Sequence, residues 1–242
     1  MLIITLVILV VIFGLTTPTA WTFTLTLIVV ASAVLGQSVK KRLDGILIDK
    51  YNRISLSRFQ LICWTILLIG SLACIGIHNF IHGGGGRGAL DIDIPPPIWA
   101  LLGLPAFTAI TAAAIKDAKR TEITTASTAD MQATNSAVQL REGLSQTPTQ
   151  DGRVLTKADP TQARWIDMVL GDFEGAPTID ASKFQKLLIT LLVLSIYGGD
   201  LWYTMSTATG PIAAFPPISA GLLALLGISH AAYLADKQFS QS

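Results

Sequence analysis

The sequence predicts an all-α protein: a polytopic transmembrane helical bundle of five or six spans, with two parallel two-helix hairpin repeats. Three observations predict it. Hydrophobic residues make up 51% of the 242 residues and charged ones only 14%, where a soluble domain carries about 25% charged. Charge is absent from residues 1–36, 59–77, 98–115, 187–199 and 217–235, and about 18 apolar residues suffice to cross a hydrocarbon core. An ordered set of motifs also occurs twice. With a mean hydropathy of +0.56, these features exclude a soluble enzyme, a disordered tail and a disulfide scaffold.

Four segments are expected in order: an N-terminal hydrophobic span or hairpin (1–37), a first two-span repeat with its polar lead-in (38–119), a linker with an interfacial segment (120–181), and a second two-span repeat (182–242). The uncharged residues 1–36 are too many for one straight span, since such a helix measures about 54 Å. Thr16-Thr17-Pro18-Thr19 is a natural break, because proline disfavours helix in the residue before it. The favoured reading is a hairpin of 2–15 and 20–37; a single tilted span beginning near Trp21 is the alternative. No positive residue precedes the apolar stretch, which argues against a secretory leader.

The repeat is read from matching motifs. Ser57-Arg58-Phe59-Gln60 and Ser182-Lys183-Phe184-Gln185 each open a span, with Thr65 and Thr190 five residues further on. Each span is followed by a loop ending in Pro-Pro-Ile, at 96–98 and 216–218. Each return span contains Leu-Leu-Gly, at 101–103 and 225–227, and ends at Lys116-Asp117 or Asp236-Lys237. Copies that start and end on the same side are parallel, related by an axis along the membrane normal.

Within the spans, Ser57 and Ser182 are expected to cap their helices, and Arg58 and Lys183 to snorkel towards water. Gln60, Thr65, Thr111, Gln185, Thr190 and His230 are expected to form an intramembrane polar layer near one end of the bundle. Such a layer serves as interhelical glue at about 1 kcal/mol per bond, or lines an ion or proton path. Gly227, Ala231 and Ala235 recur every fourth residue as a small-residue packing stripe, and Pro105 should kink its helix. Asp200, beside Trp202 and Tyr203, marks a helix end near the outer surface and is the candidate outer-mouth carboxylate. Cys63 and Cys74 read as buried packing residues, too far apart along a helix to bridge.

His78 and His82 stand four apart before Gly83–Gly86 and Asp91-x-Asp93. This spacing can hold a metal, but four consecutive glycines favour a flexible loop. No metal, cofactor or catalytic constellation is therefore expected. Residues 120–163 are poor in bulky apolar groups and read as a linker. Residues 161–174, around Trp165, Met168 and Val169, read as an interfacial helix or as a docking patch.

Sixteen of the seventeen Lys and Arg flank the spans on one side, only Arg87 lying elsewhere. Basic loops stay in the cytoplasm, which places 37–58, 116–183 and the C-terminus inside, with 78–97 and 204–216 outside. The Ser-Leu-Ser-Arg-Phe-Gln…Trp-Thr segment and the Leu-Leu-Gly-Ile-Ser-His helix resemble a group of uncharacterised bacterial multi-pass membrane proteins that carry a Ser-Arg/Lys-Phe-Gln…Thr helix repeat. The resemblance covers 53–119 and 164–237 and implies a bacterial inner-membrane protein, with no activity to carry over.

The function expected is that of a non-catalytic integral membrane scaffold or anchor whose segment 116–183 engages a cytoplasmic protein. A small channel or transporter subunit, with an ion or proton path through the repeats, is the alternative. The expected partners are the lipid bilayer, that cytoplasmic protein and a second copy of the chain; no nucleic acid is expected.

Overall fold

A computed structural model describes residues 17–83, 88–121, 128–144, 146–151, 154–172 and 178–239. The regular secondary structure of the described residues is helical apart from 3-10 turns and one two-stranded ribbon. Helices α1 (Thr17–Lys40), α2 (Leu56–His82) and α3 (Pro96–Thr121) precede α4 (Thr128–Glu142), and α5 (Ala181–Thr207) and α6 (Ala220–Phe239) close the chain. Strands β1 (Thr149–Asp151) and β2 (Val154–Thr156) pair antiparallel. The expected helix 2–15 lies outside the described residues.

Among the described residues, α1, α2, α3 and α5 are long and apolar enough to cross a membrane. Their 24 to 27 residues span about 36–40 Å, more than the hydrocarbon core needs. Half of the most apolar window of α2 is buried, against 22% in α1 and α5, so α2 is the most enclosed of the four. Exposed Val34, Leu35, Phe107, Ile110, Leu188 and Leu192 leave wide apolar surface for lipid. The fifth span expected from sequence is the 20-residue α6, which carries His230, Asp236 and Lys237 and is not among these four.

Local chemistry sets the helix ends. Pro96 and Pro97 open α3, where the missing N–H costs nothing. Asp180, not Ser182, caps α5: its carboxylate accepts from Lys183 N at 3.0 Å and its carbonyl from Phe184 N. The Ser57 hydroxyl is likewise no cap. It is buried without a hydrogen-bond partner among the described residues, while the Ser55 carbonyl accepts the first helical bond, from Phe59 N. Helix α3 runs on through Pro105, and the Leu104 carbonyl accepts from Thr108 Oγ1 at 2.7 Å.

The chain divides into two compact units. One comprises Met1–Ala31, Ile62–Gly103 and Leu191–Ala224, with four of the five tryptophans; the other comprises Ser32–Leu61, Leu104–Thr190 and Leu225–Ser242, with sixteen of the seventeen Lys and Arg. They are called the aromatic and basic units below.

The aromatic unit is built on Trp64, fully buried against Tyr197 with ring centroids 6.4 Å apart, and on Ile75, Leu101, Val193 and Leu201. Trp21 packs on Trp202 and donates from Nε1 to Ser71 Oγ at 2.7 Å. The loops after α2 and α5 are joined. Asp93 N donates to the Ala213 carbonyl and Phe215 N to the Asp93 carbonyl, a parallel bridge between Asp93 and Ala214. Asp93 stands three residues before Pro96 and Ala214 two before Pro216, so the loops meet one residue out of step with their Pro-Pro-Ile motifs. The Asn79 amide clamps Ile212, donating to its carbonyl at 2.8 Å and accepting its N–H at 2.7 Å. His78 Nε2 meets the Gly210 carbonyl at 2.9 Å, and His82 stacks on His78.

In the basic unit, α1 ends at Lys40, and Lys41 takes a left-handed φ of 57°. The chain then folds back so closely that a Cβ on Gly36 would stand 2.8 Å from Gly45 N, and one on Gly45 2.5 Å from Gly36 O. Only glycine permits that approach. It delivers a tight loop, closed by the Ile48–Ile54 bridge, in which Asp49 Oδ1 accepts from Tyr51 N and Arg53 N at 2.9 and 3.2 Å.

Residues 120–163, read from sequence as a linker, hold α4 and the β1–β2 ribbon. The physical reason is a buried ion cluster beside a small apolar core of Val138, Leu144, Val154, Leu155 and Ala163. Lys157, fully buried, donates to Asp167 Oδ1 at 2.8 Å and to the Gln162 carbonyl at 3.1 Å, and lies 2.9 Å from Glu142 Oε2. Arg164 donates to the Glu142 carbonyl. The expected interfacial helix 161–174 is instead a pair of 3-10 turns, Pro160–Gln162 and Trp165–Met168. Asp159 caps the first through Thr161 N, and Asp167, drawn inward by Lys157, accepts from Arg164 N at 2.9 Å. Trp165 and Ile166 stay exposed, with Trp165 edge-on to Phe59.

Candidate functional site

The predicted polar layer is only partly assembled, and as separate pairs. Gln60 Nε2 donates to Thr190 Oγ1, both residues fully buried. Buried His230 meets Thr108, not Thr111: Nδ1 lies 2.6 Å from Thr108 Oγ1. Since that hydroxyl also donates to the Leu104 carbonyl, a proton on Nδ1 satisfies both groups. Thr111 is half-buried, and Thr65 and Gln185 are exposed. Asp200 is exposed near the end of α5.

The reason is a one-residue slip between motif and packing. The motifs align Gln60 with Gln185 and Thr65 with Thr190. The buried stripes of α2 and α5 instead align Ser57 with Lys183, Gln60 with Lys186, and Trp64 with Thr190. One residue is about 100° of helix rotation, so Gln185 turns outward and Lys186 inward. Lys183 does not snorkel; it is 4% exposed and points into the basic unit. The small-residue stripe of α6 does not pack within the chain. The buried face of α6 is Leu226, Ser229, His230, Tyr233 and Lys237, while Ala231 and Ala235 are exposed.

What the inward lysines reach was not foreseen. Asp172, 6% exposed, is the hub. Its carboxylate lies 3.0 Å from Lys116 Nζ, 2.9 Å from Lys183 Nζ and 3.9 Å from Arg53 Nη1, and it accepts from Lys237 Nζ. Lys116 also donates to Asp49 Oδ2 at 2.9 Å. Lys183 donates to the Leu170 carbonyl. Lys186 Nζ is buried 4.0 Å from the centre of the Tyr233 ring, with no hydrogen-bond partner, and Lys237 Nζ donates to the Tyr233 hydroxyl at 3.2 Å. Burial alone would raise the pKa of Asp172, but Lys116, Lys183, Lys237 and Arg53 together hold it well below the usual carboxylate range. Asp49 is lowered too, since Lys116 outweighs its burial.

Lys116, in the last turns of α3, and Lys237, in the last turn of α6, both reach Asp172. The sequence showed these two lysines at the ends of matching spans. Asp172, just after the apolar island, carried no periodic signal.

Beside the cluster lies a cavity of about 360 Å³. Its charged wall is Lys50, Arg58, Lys116, Lys183 and Lys237 with Asp49, Asp167 and Asp172; Leu61, Ala109, Ile110 and Ala113, from the membrane-crossing helices α2 and α3, form an apolar one. No family model, curated protein or solved structure matches the chain.

Proposed function

We propose that this chain is a non-catalytic scaffold of the bacterial inner membrane. Its basic unit faces the cytoplasm and presents segment 116–183 to a protein partner. The orientation rests on the basic residues, sixteen of which lie in that unit and mark the cytoplasmic side. The observation that carries the scaffold reading over transport is the self-pairing of the polar layer. Gln60 with Thr190, and His230 with Thr108, bind each other in the manner of interhelical glue. Exposed Leu140, Trp165 and Ile166 on the ion-pinned segment supply an apolar surface for the partner. The outward Ala231 and Ala235 of α6 are available to a second copy.

Two experiments test the reading. A reporter active only in the periplasm, fused after Ser242, stays inactive; activity there reverses the orientation. Purified protein in liposomes carries no ion flux between pH 5 and 8, with or without His230→Gln. Flux in the wild type that disappears in the variant overturns the scaffold in favour of transport, because glutamine cannot titrate.

A further inference from the structure

The cavity wall carries more positive than negative charge: Lys50, Arg58, Lys116, Lys183 and Lys237 against Asp49, Asp167 and Asp172. Lys116, Lys183 and Lys237 are each under 9% exposed, as are Arg53 and Lys186 elsewhere in the basic unit. Of these acids Asp167 is engaged by Lys157, which it shares with Glu142; Asp117, outside the wall, is exposed and engaged by Lys50 and Tyr51. Cations held out of water without partners are costly. Here all three Arg53 guanidinium nitrogens make no hydrogen bond, Nη1 lying 3.9 Å from Asp172. A preformed cavity with a net positive wall is complementary to an anion.

The shape of the cavity narrows the class. Its charged wall ends against Leu61, Ala109, Ile110 and Ala113, and the last two side chains are exposed on a membrane-crossing stretch of α3. Arg58 also lines the cavity, its Nη1 donating to the Ile48 carbonyl at 2.8 Å while its side chain remains exposed. A volume of about 360 Å³ admits a tetrahedral oxyanion with space to spare and lies in the range of small-ligand sites. Lysines act as point charges towards phosphate oxygens.

We propose that this cavity binds a phosphate-class anion, carried on a lipid headgroup or free in solution. The phosphate faces Lys116, Lys183 and Lys237 beside Asp172. When a lipid carries it, the first acyl carbons run along Ile110 and Ala113. The site stands independently of the scaffold reading, because neither orientation nor a protein partner enters into it.

The test uses the full chain in phosphatidylcholine nanodiscs, with thermal unfolding followed by thiol labelling of buried Cys74. One arm adds phosphatidylglycerol to the nanodisc. A second adds inorganic phosphate, with sodium chloride at matched ionic strength as control. A ligand held only by the folded state raises the midpoint by about 5 °C at saturating occupancy. A rise with phosphatidylglycerol alone assigns the anion to lipid, and a rise with phosphate but not chloride assigns it to solution. Ala113→Phe fills the cavity from its exposed apolar side without touching a charge. It keeps its midpoint in phosphatidylcholine and loses the anion-dependent rise. No rise in either arm, an equal rise with chloride, or an undiminished rise in A113F overturns the proposal.

Discussion

Replacing Asp172 with asparagine keeps the shape of the hub and removes its charge. Lys116, Lys183, Lys237 and Arg53 then face one another, with Asp49 as the remaining buried carboxylate of the cluster. Removing one partner of a buried ion pair costs about 3–5 kcal/mol, because the other charge is left uncompensated. Several cations share this carboxylate, so the upper half of that range applies. For a chain of this size each kcal/mol moves the midpoint by about 2–4 °C, and a fall of about 8–20 °C follows. Thiol labelling of Cys74 on a temperature ramp reads it. The pH dependence provides a second signature. Asp172 is held below its unfolded pKa, so its contribution is complete above the unfolded carboxylate value of about 3.9. It is lost as pH falls through the still lower folded value. Acidification below about pH 4 therefore costs the wild type more than D172N. A D172N midpoint within about 2 °C of wild type, with the same acid sensitivity, refutes the hub.

Lys157→Met leaves Glu142 and Asp167 buried without their cation, costs about 3–5 kcal/mol, and exposes residues 142–168 to limited proteolysis; an unchanged cleavage pattern counts against the second ion cluster. Asn79→Ala orphans both backbone groups of Ile212 and lowers stability by about 2–3 kcal/mol, measured as a midpoint shift; a loss under about 1 kcal/mol means the loops hold without the clamp. Gly36→Ala forces a Cβ to within 2.8 Å of Gly45 N and costs about 1–3 kcal/mol through backbone shifts, whereas neutral behaviour denies the close approach. His230→Gln loses one buried bond to Thr108, at about 1 kcal/mol, and folds normally; failure to insert shows that the imidazole does more than join α3 to α6.

The spans were legible because uncharged runs of that length have few other uses. Pro96-Pro97 and Pro216-Pro217 likewise announced the loop ends that Asp93 and Ala213 now join. Helix rotation was not legible. The shared Ser-base-Phe-Gln motif implied one register, while packing chose the next residue, sending Gln185 to the surface and Lys186 and Lys183 into the interior. In an all-apolar span, hydrophobic periodicity is too weak to fix which face turns inward. The order of the described residues within 128–172 was hidden for a different reason. Sequence reasoning asks whether a segment can bury apolar area, and this one is held by Lys157 and Asp172 through contacts distant in the chain. Asp172 sits among other loop acids with nothing in its neighbourhood to mark it as the group four cations share.

The most direct measurement is amide hydrogen exchange on the full chain in lipid nanodiscs, read at residues 154–172. Leu155 N donates to the Asp172 carbonyl, Lys157 N to Tyr51 O, and Gly171 N to Thr178 O, so these amides exchange slowly in the wild type. In D172N the same amides lose protection while those in the middle of α2 keep theirs. Fast exchange across 154–172 in the wild type, at the rate of an unstructured linker, contradicts a segment pinned by the buried ion cluster.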